Sequence, residues 1–148
     1  MTEAVKTPWH IWAVGVVSLL WNGFGAFDYT MTKTRNMAYL KDFNQFTPEQ
    51  IAYFDGISLL GNIGWAFGVW GALAGSVLLL CRSRHAVSAF MVSLAGLLVS
   101  TFNQFILSDV DLGKLFGPGP MVTTIVIWII AIALFVYARR QAAVGALR

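Results

Sequence analysis

Four long apolar runs restrict what this chain can fold into more than any other feature of its sequence. Each run has about the 20 residues that a helix needs to cross a hydrocarbon layer of roughly 30 Å. Only 11% of the 148 residues are charged, against about 25% in an average soluble domain. The sequence therefore predicts an all-α fold, an integral membrane four-helix bundle that forms a single domain over residues 1–148. We place the spans at residues 8–27, 52–80, 86–107 and 121–138.

The start of the second helix has a clear signal. Residues 47–50 have the sequence Thr-Pro-Glu-Gln, a capping box with proline at the first helical position. We expect this helix to begin at Pro48, to run to Leu80 and to bend at Gly56. At 1.5 Å per residue it would be about 50 Å long, so its first turns would protrude from the membrane or lie at the interface.

Lys and Arg are distributed unequally between the two ends of the predicted spans. Six of them lie near the span ends on the side that holds both termini, and four lie on the opposite side. Cytoplasmic segments of membrane proteins carry an excess of these residues. We therefore expect both termini in the cytoplasm and periplasmic loops at residues 28–47 and 108–119. The predicted location is the bacterial inner (plasma) membrane, with the chain as a multi-pass protein.

One face of the second span carries a stripe of glycines at alternating steps of three and four residues. Such small residues let two helices approach closely within a membrane. We interpret the stripe as a contact with another helix of the same chain; the alternative is a homodimer seam. The stripe consists of Gly61, Gly64, Gly68, Gly71 and Gly75.

Polar side chains in the apolar spans indicate a candidate binding site. An amide in hydrocarbon needs a hydrogen-bonding partner or a wet cavity. The topology places all four such amides toward the outer half of the membrane, with three acids above them, and we predict that they bind a solute at one depth. The alternative is that the amides bond to one another and the acids only cap or solvate helix ends. The solute-binding candidates are Asn22, Asn62, Asn103 and Gln104, with Asp28, Asp55 and Asp109.

The sequence offers no set of residues for catalysis. It has no phosphate-binding glycine loop, no zinc-binding HExxH helix and no paired intramembrane carboxylates. Its one cysteine, Cys81, has only His85 as a base within reach and no third group. Haem held between His10 and His85 is a remote alternative. The basic residues are scattered rather than forming a tract that binds nucleic acid. We predict a non-enzymatic protein without cofactor or metal and without a nucleic-acid partner.

Three segments of the chain resemble a family of small bacterial four-helix inner-membrane proteins. They are residues 21–32, 68–75 and 82–86, with the sequences WNGFGAFDYTMT, GVWGALAG and RSRHA. The resemblance covers the first three spans. Members of this poorly characterised family are sometimes labelled sugar transporters by automated transfer, so the resemblance implies a role in transport.

Two functional hypotheses follow from the sequence. The first is transport or binding of a small polar solute that approaches from the periplasmic side and meets the predicted amides. A four-helix chain is small for alternating access, so this hypothesis predicts at least a homodimer that uses the glycine stripe. The alternative is a non-catalytic accessory or assembly subunit of a larger membrane complex, whose exposed glycine stripe and fourth helix dock the partner. In both hypotheses the lipid bilayer surrounds the spans.

Overall fold

The computed structural model describes residues 5–148; residues 1–4, the start of the predicted single domain, lie outside the described part. The fold class is confirmed: the described chain is all-helical, with four helices long and apolar enough to span a membrane. The protein is therefore a multi-pass membrane protein. The spans are α1 (Trp9–Lys33), α3 (Leu59–Leu80), α4 (His85–Phe102) with its π-helical continuation (Asn103–Leu107), and α6 (Gly119–Ala143).

Shorter helical segments lie at one end of the bundle. They are a π-helical segment (Ala38–Phe43), α2 (Pro48–Asp55) and α5 (Leu112–Phe116). We call this end the loop side. The opposite end, where α1 begins, α6 ends and the turn between α3 and α4 lies, is the terminal side. Which of the two faces the cytoplasm stays a prediction.

The spans pack in the order α1, α3, α4, α6. The pair α3 and α4 forms the most extensive interface, α1 packs on α3, and α6 packs on α4. The glycine stripe explains the first of these contacts, since each of its glycines faces α4 or the π-helical continuation of α4. A Cβ atom on Gly64 would lie only 2.7 Å from the backbone nitrogen of Ser100. In the same interface the Ser93 hydroxyl donates a hydrogen bond of 2.6 Å to the carbonyl of Gly68.

The expected continuous helix from residue 48 to residue 80 is wrong. Helix α2 ends at Asp55, and α3 begins only at Leu59, after a break at Gly56, Ile57 and Ser58. Ser58 has an extended backbone, and its hydroxyl accepts from the Gly61 N–H at 3.1 Å. It is thus the N-cap of a new helix. The second span therefore begins seven residues later than the predicted residue 52.

The first helix is longer than expected. It continues past Phe27 to Lys33, so residues 28–33 are helical rather than part of the predicted loop at residues 28–47. The Thr30 hydroxyl donates to the carbonyl of Ala26 at 2.8 Å, which satisfies its polar group within the helix. The helix ends where Arg35 adopts a φ of 52°. Asp28 is consequently a helix residue.

The segment after α6 folds back onto the terminal side of the bundle. Gly145 reverses the chain with a φ of 78°, a conformation that glycine adopts without strain. Arg148 then exchanges two backbone hydrogen bonds of 2.7 Å with the α3–α4 turn, from its N–H to Arg82 and from Arg84 to its carbonyl. Leu147 is buried in the same cluster as residues of α1, α3, α4 and α6. This contact ties the last turn of α6 to the turn between α3 and α4.

Candidate functional site

A cavity with a volume of about 260 Å³ lies between the four membrane-spanning helices. All four spans contribute to its wall, which is mainly apolar. On α1 it is lined by Trp21, Gly25 and Asp28, which are spaced by four and three residues and so share one helix face. The α6 side is formed by Thr123, Ile127, Ile130, Ala131 and Leu134.

The cavity is only partly enclosed, and the order of packing shows where it opens. The interfaces α1–α3, α3–α4 and α4–α6 are formed, whereas α1 and α6 have no continuous interface. These two helices approach each other at the terminal side, where the His10 ring nitrogen and the Tyr137 hydroxyl form a hydrogen bond. Toward the loop side no further hydrogen bond joins these two helices in the described part of the chain, and Phe24 of the cavity wall is exposed there. We call this part of the α1–α6 boundary the open seam.

Most polar groups in the cavity wall already have partners. The Asn22 amide donates to the carbonyl of Ala72 at 3.2 Å and to the hydroxyl of Ser76 at 2.9 Å. The hydroxyl of Ser93 bonds to α3. These bonds hold the helices together, so we interpret Asn22 as a residue that joins α1 to α3 and presents only its carbonyl oxygen to a ligand.

Asp28 is the charged residue of this wall. One oxygen, Oδ1, accepts a hydrogen bond of 2.6 Å from the Tyr39 hydroxyl. Within residues 5–148 no Lys or Arg forms an ion pair with this carboxylate, because the ion pairs there are Arg35–Asp55 and Lys114–Asp111. Within the described residues the second oxygen of Asp28, Oδ2, has no hydrogen-bond or ion-pair partner.

Tyr39 lies at the loop-side end of the cavity. It belongs to the π-helical segment outside the spans, is buried with Leu40 and Ile51, and stacks on Phe43 with an angle of 15° between the rings. Burial raises the pKa of its hydroxyl, and the hydrogen bond to Asp28 raises it further. Tyr39 therefore remains a hydrogen-bond donor over the whole physiological pH range.

Gly25 gives the cavity its width near Asp28. A Cβ atom at this position would meet no atom within 4 Å, so no packing contact requires glycine here. Glycine in a helix interior costs about 1 kcal/mol relative to alanine. The space that it leaves lies on the cavity side of α1, between Trp21 and Asp28.

The remaining candidates lie outside this cavity. Asn62 donates to the carbonyl of Ile57 at 2.9 Å and accepts from the Lys33 ammonium at 2.7 Å. Asp55 pairs with Arg35 at 3.3 Å on the surface. Asp55 and Asn62 lie on different helices, α2 and α3, because the break before α3 separates them. Gln104 lines neither the cavity nor the groove described next.

A second, more polar depression lies on the loop side, between α2 and the end of the third span. This groove has a volume of about 540 Å³ and includes Asn103 and Asp109 among its lining residues, together with Glu49. The Asn103 amide donates to the Ser58 hydroxyl at 2.7 Å. It therefore fixes the break before α3 as well as lining the groove.

The expected convergence of the amides at one depth is wrong. Asn22 lies opposite Ala72, whereas Asn62 and Asn103 lie near the start of α3. Ten residues of helix separate position 62 from position 72, which is about 15 Å. The seven predicted residues therefore divide into two in the cavity (Asn22 and Asp28), two in the groove (Asn103 and Asp109) and three in neither (Asp55, Asn62 and Gln104).

Sequence reasoning missed Tyr39, Gly25 and the α6 wall. A signal for Gly25 was present, since it lies at the helical spacing that joins Trp21 to Asp28. Tyr39 reaches Asp28 because the chain turns back after α1, and no sequence pattern predicts such a contact. Among the described residues, His, Cys, Asp and Glu form no group of three that could hold a metal ion.

Comparison with known proteins gives no relative: the chain matches no family model, no curated protein and no solved structure. The resemblance inferred from the three sequence segments therefore stays a prediction. The geometry of the cavity is what supports a function.

Proposed function

We propose that this chain is a membrane-embedded solute-binding protein that takes part in transport, with the central cavity as its binding site. One observation carries the proposal. The cavity is lined by all four spans and is widened by Gly25, which no packing contact requires. Concave, mainly apolar pockets with a few polar groups are the usual form of small-molecule sites.

The mainly apolar wall of the cavity favours a different kind of solute from the polar one that the sequence predicted. A strongly polar solute would lose its hydration in this cavity and find few partners there. The wall instead suits a molecule with an apolar body and one polar end, which would meet Asp28. The solute of this proposal is therefore amphiphilic rather than polar throughout.

The orientation of the site follows from the distribution of Lys and Arg. With the terminal side in the cytoplasm, Asp28 lies toward the periplasmic half of the bacterial inner membrane. The solute then reaches the cavity from the periplasmic half, as the sequence suggested. Access through the open seam between α1 and α6 leads from the lipid rather than directly from water.

The alternative, an accessory subunit that docks its partner through the glycine stripe and the fourth helix, loses the stripe as a docking surface. Helix α4 of the same chain covers that face. The same contact removes the stripe as a homodimer seam, so a dimer would need another surface. Exposed apolar residues on α6, such as Ile125 and Ile129, suit lipid as well as a protein partner, so this surface does not distinguish the two functions.

Native mass spectrometry of protein purified gently from its own host tests the proposal. We expect a bound small molecule that is lost in Gly25→Leu, because the new side chain fills the cavity. Gly23→Leu is the matched control, since a Cβ at Gly23 also meets open space but Gly23 does not line the cavity. Absence of any adduct, or an adduct that persists in Gly25→Leu, would overturn the proposal.

A further inference from the structure

We infer that the ligand of the central cavity is an organic cation whose charged nitrogen binds Asp28. This inference rests on the proposed function and names the chemical class of the solute. Asp28 lines the cavity, and no Lys or Arg of the described residues forms an ion pair with it.

The charge of Asp28 is not balanced by the described chain. The nearest cation along α1, Lys33, points elsewhere: its ammonium bonds to Asn62 at 2.7 Å and lies 5.9 Å from the centre of the Trp65 ring. Arg35 pairs with Asp55. An ionisable residue within a membrane is costly unless it is paired, and it is a functional-site candidate by default.

The Tyr39 hydroxyl supplies only one of the hydrogen bonds that this carboxylate can accept. A carboxylate has two oxygens and about four lone-pair sites, and the hydroxyl of Tyr39 occupies one of them on Oδ1. The hydrogen bond also fixes the rotamer of Asp28 from the loop side. The site is thus preorganised for a positively charged group that arrives from within the cavity.

The donor set favours an organic cation over a metal ion. Calcium takes six to eight oxygen ligands, and magnesium needs a nearly octahedral set. Around Asp28 the wall offers apolar and aromatic surface instead, including Trp21 and Phe24. Aromatic faces attract ammonium groups, most strongly where water is excluded. An alkyl or aryl ammonium ion satisfies both the carboxylate and these walls.

The open seam is consistent with the same class of ligand. Trp21 and Phe24 line the cavity and are still 41% and 58% exposed, so they lie at its opening toward lipid. Amphiphilic cations concentrate at the membrane interface, with the charge among the headgroups and the apolar part in the acyl region. Such a molecule can enter between α1 and α6 without crossing bulk hydrocarbon as a bare charge.

The test uses radiolabelled benzyltrimethylammonium and equilibrium dialysis against the full chain in lipid nanodiscs. Its uncharged carbon isostere, neopentylbenzene, is the competitor. We expect saturable binding, no displacement by the isostere at a tenfold higher concentration, and an affinity at least tenfold lower in Asp28→Asn. The asparagine keeps an oxygen for Tyr39, so the variant should fold, whereas Asp28→Glu should stay within a few-fold of the original affinity.

The possible results distinguish a failure of the organic-cation inference from a failure of the proposed solute-binding function. Equal competition by neopentylbenzene, unchanged affinity in Asp28→Asn, or equally strong displacement by sodium would overturn the organic cation. If the charged and the uncharged compound bind equally, and this binding is lost in Gly25→Leu, the organic cation is overturned but the cavity still binds a solute. If neither compound shows binding that is lost in Gly25→Leu, and native mass spectrometry shows no adduct, the organic-cation inference and the proposed function are both overturned.

Discussion

The contact between α3 and α4 can be tested with a single methyl group. A Cβ atom on Gly96 would lie 2.7 Å from the carbonyl oxygen of Gly64 and 2.9 Å from the carbonyl carbon of Phe67. Ordinary van der Waals contact begins at 3.4 Å, so the first distance is 0.7 Å too short. Both atoms belong to the backbone, and no side chain can rotate away. In Gly96→Ala the two helices must therefore separate by several tenths of an ångström.

The free-energy change follows from that separation. A radial gap of 0.5–1 Å removes about a quarter to a half of the dispersion energy of the facing atoms, and overpacking in cores typically costs about 1–3 kcal/mol. Lipid gives little hydrophobic driving force that could compensate. At roughly 2–4 °C per kcal/mol for a chain of this size, we expect the unfolding temperature of Gly96→Ala to fall by about 2–12 °C.

Thermal unfolding in detergent, followed by circular dichroism, measures this effect. Gly23→Ala is the control, because a Cβ at Gly23 meets no atom within 4 Å and alanine favours the helix. Its unfolding temperature should stay the same or rise. If Gly96→Ala and Gly23→Ala unfold at the same temperature, the close approach of α3 and α4 described above is incorrect.

Three other perturbations have defined outcomes. Asn22→Leu removes the bond to the buried Ser76 and should destabilise the protein by about 0.6–1.7 kcal/mol, the range for such bonds in membranes, measured by the same unfolding assay. Leu147→Ala should cost about 2–5 kcal/mol, because Leu147 is 1% exposed; no change would show that the last segment is not docked. The raised pKa of Tyr39 means that its bond to Asp28 is intact below pH 10 and is lost only as pH rises through the higher folded value. Ultraviolet titration of Tyr39→Phe should therefore lack one late-ionising tyrosine, and loss of an early one instead would contradict the contact.

A local signal in the sequence was sufficient to predict the start of α2. The capping box at residues 47–50 forms as predicted, with Thr47 accepting from the Gln50 N–H at 3.3 Å and donating its own N–H to the Gln50 side chain at 3.0 Å. The glycine spacing correctly indicated a closely packed helix face. These features are set by residues within one or two turns of each other, so a single sequence contains them.

The site was harder to predict, because it depends on where each helix ends. Each amide was placed by counting from a predicted span end, and α1 was taken to end at Phe27. The helix continues six residues further, to Lys33, which puts Asn22 deeper in the membrane. Helix α3 starts after Ser58 rather than at residue 52, which puts Asn62 in its first turn. Hydropathy decides neither boundary, since residues 28–33 and Gly56 are compatible with a helix as well as with its end.

Three other features of the structure depend on contacts between residues that are far apart in the chain. The choice of α4 as the partner of the glycine stripe comes from three-dimensional packing, and a second copy of the chain would have satisfied the same spacing. The docking of Leu147 beneath the α3–α4 turn depends on the reversal at Gly145. The pairing of Tyr39 with Asp28 depends on the π-helical segment that carries Tyr39 back over the end of α1.

In the function that we propose, the cavity within the four spans binds the solute during transport. Uptake of radiolabelled benzyltrimethylammonium into proteoliposomes tests it most directly, with Gly25→Leu compared against Gly23→Leu. We expect uptake above that of protein-free liposomes, lost in Gly25→Leu and retained in Gly23→Leu. Uptake that is no greater than in protein-free liposomes, or that is unchanged when the cavity is filled, would contradict it.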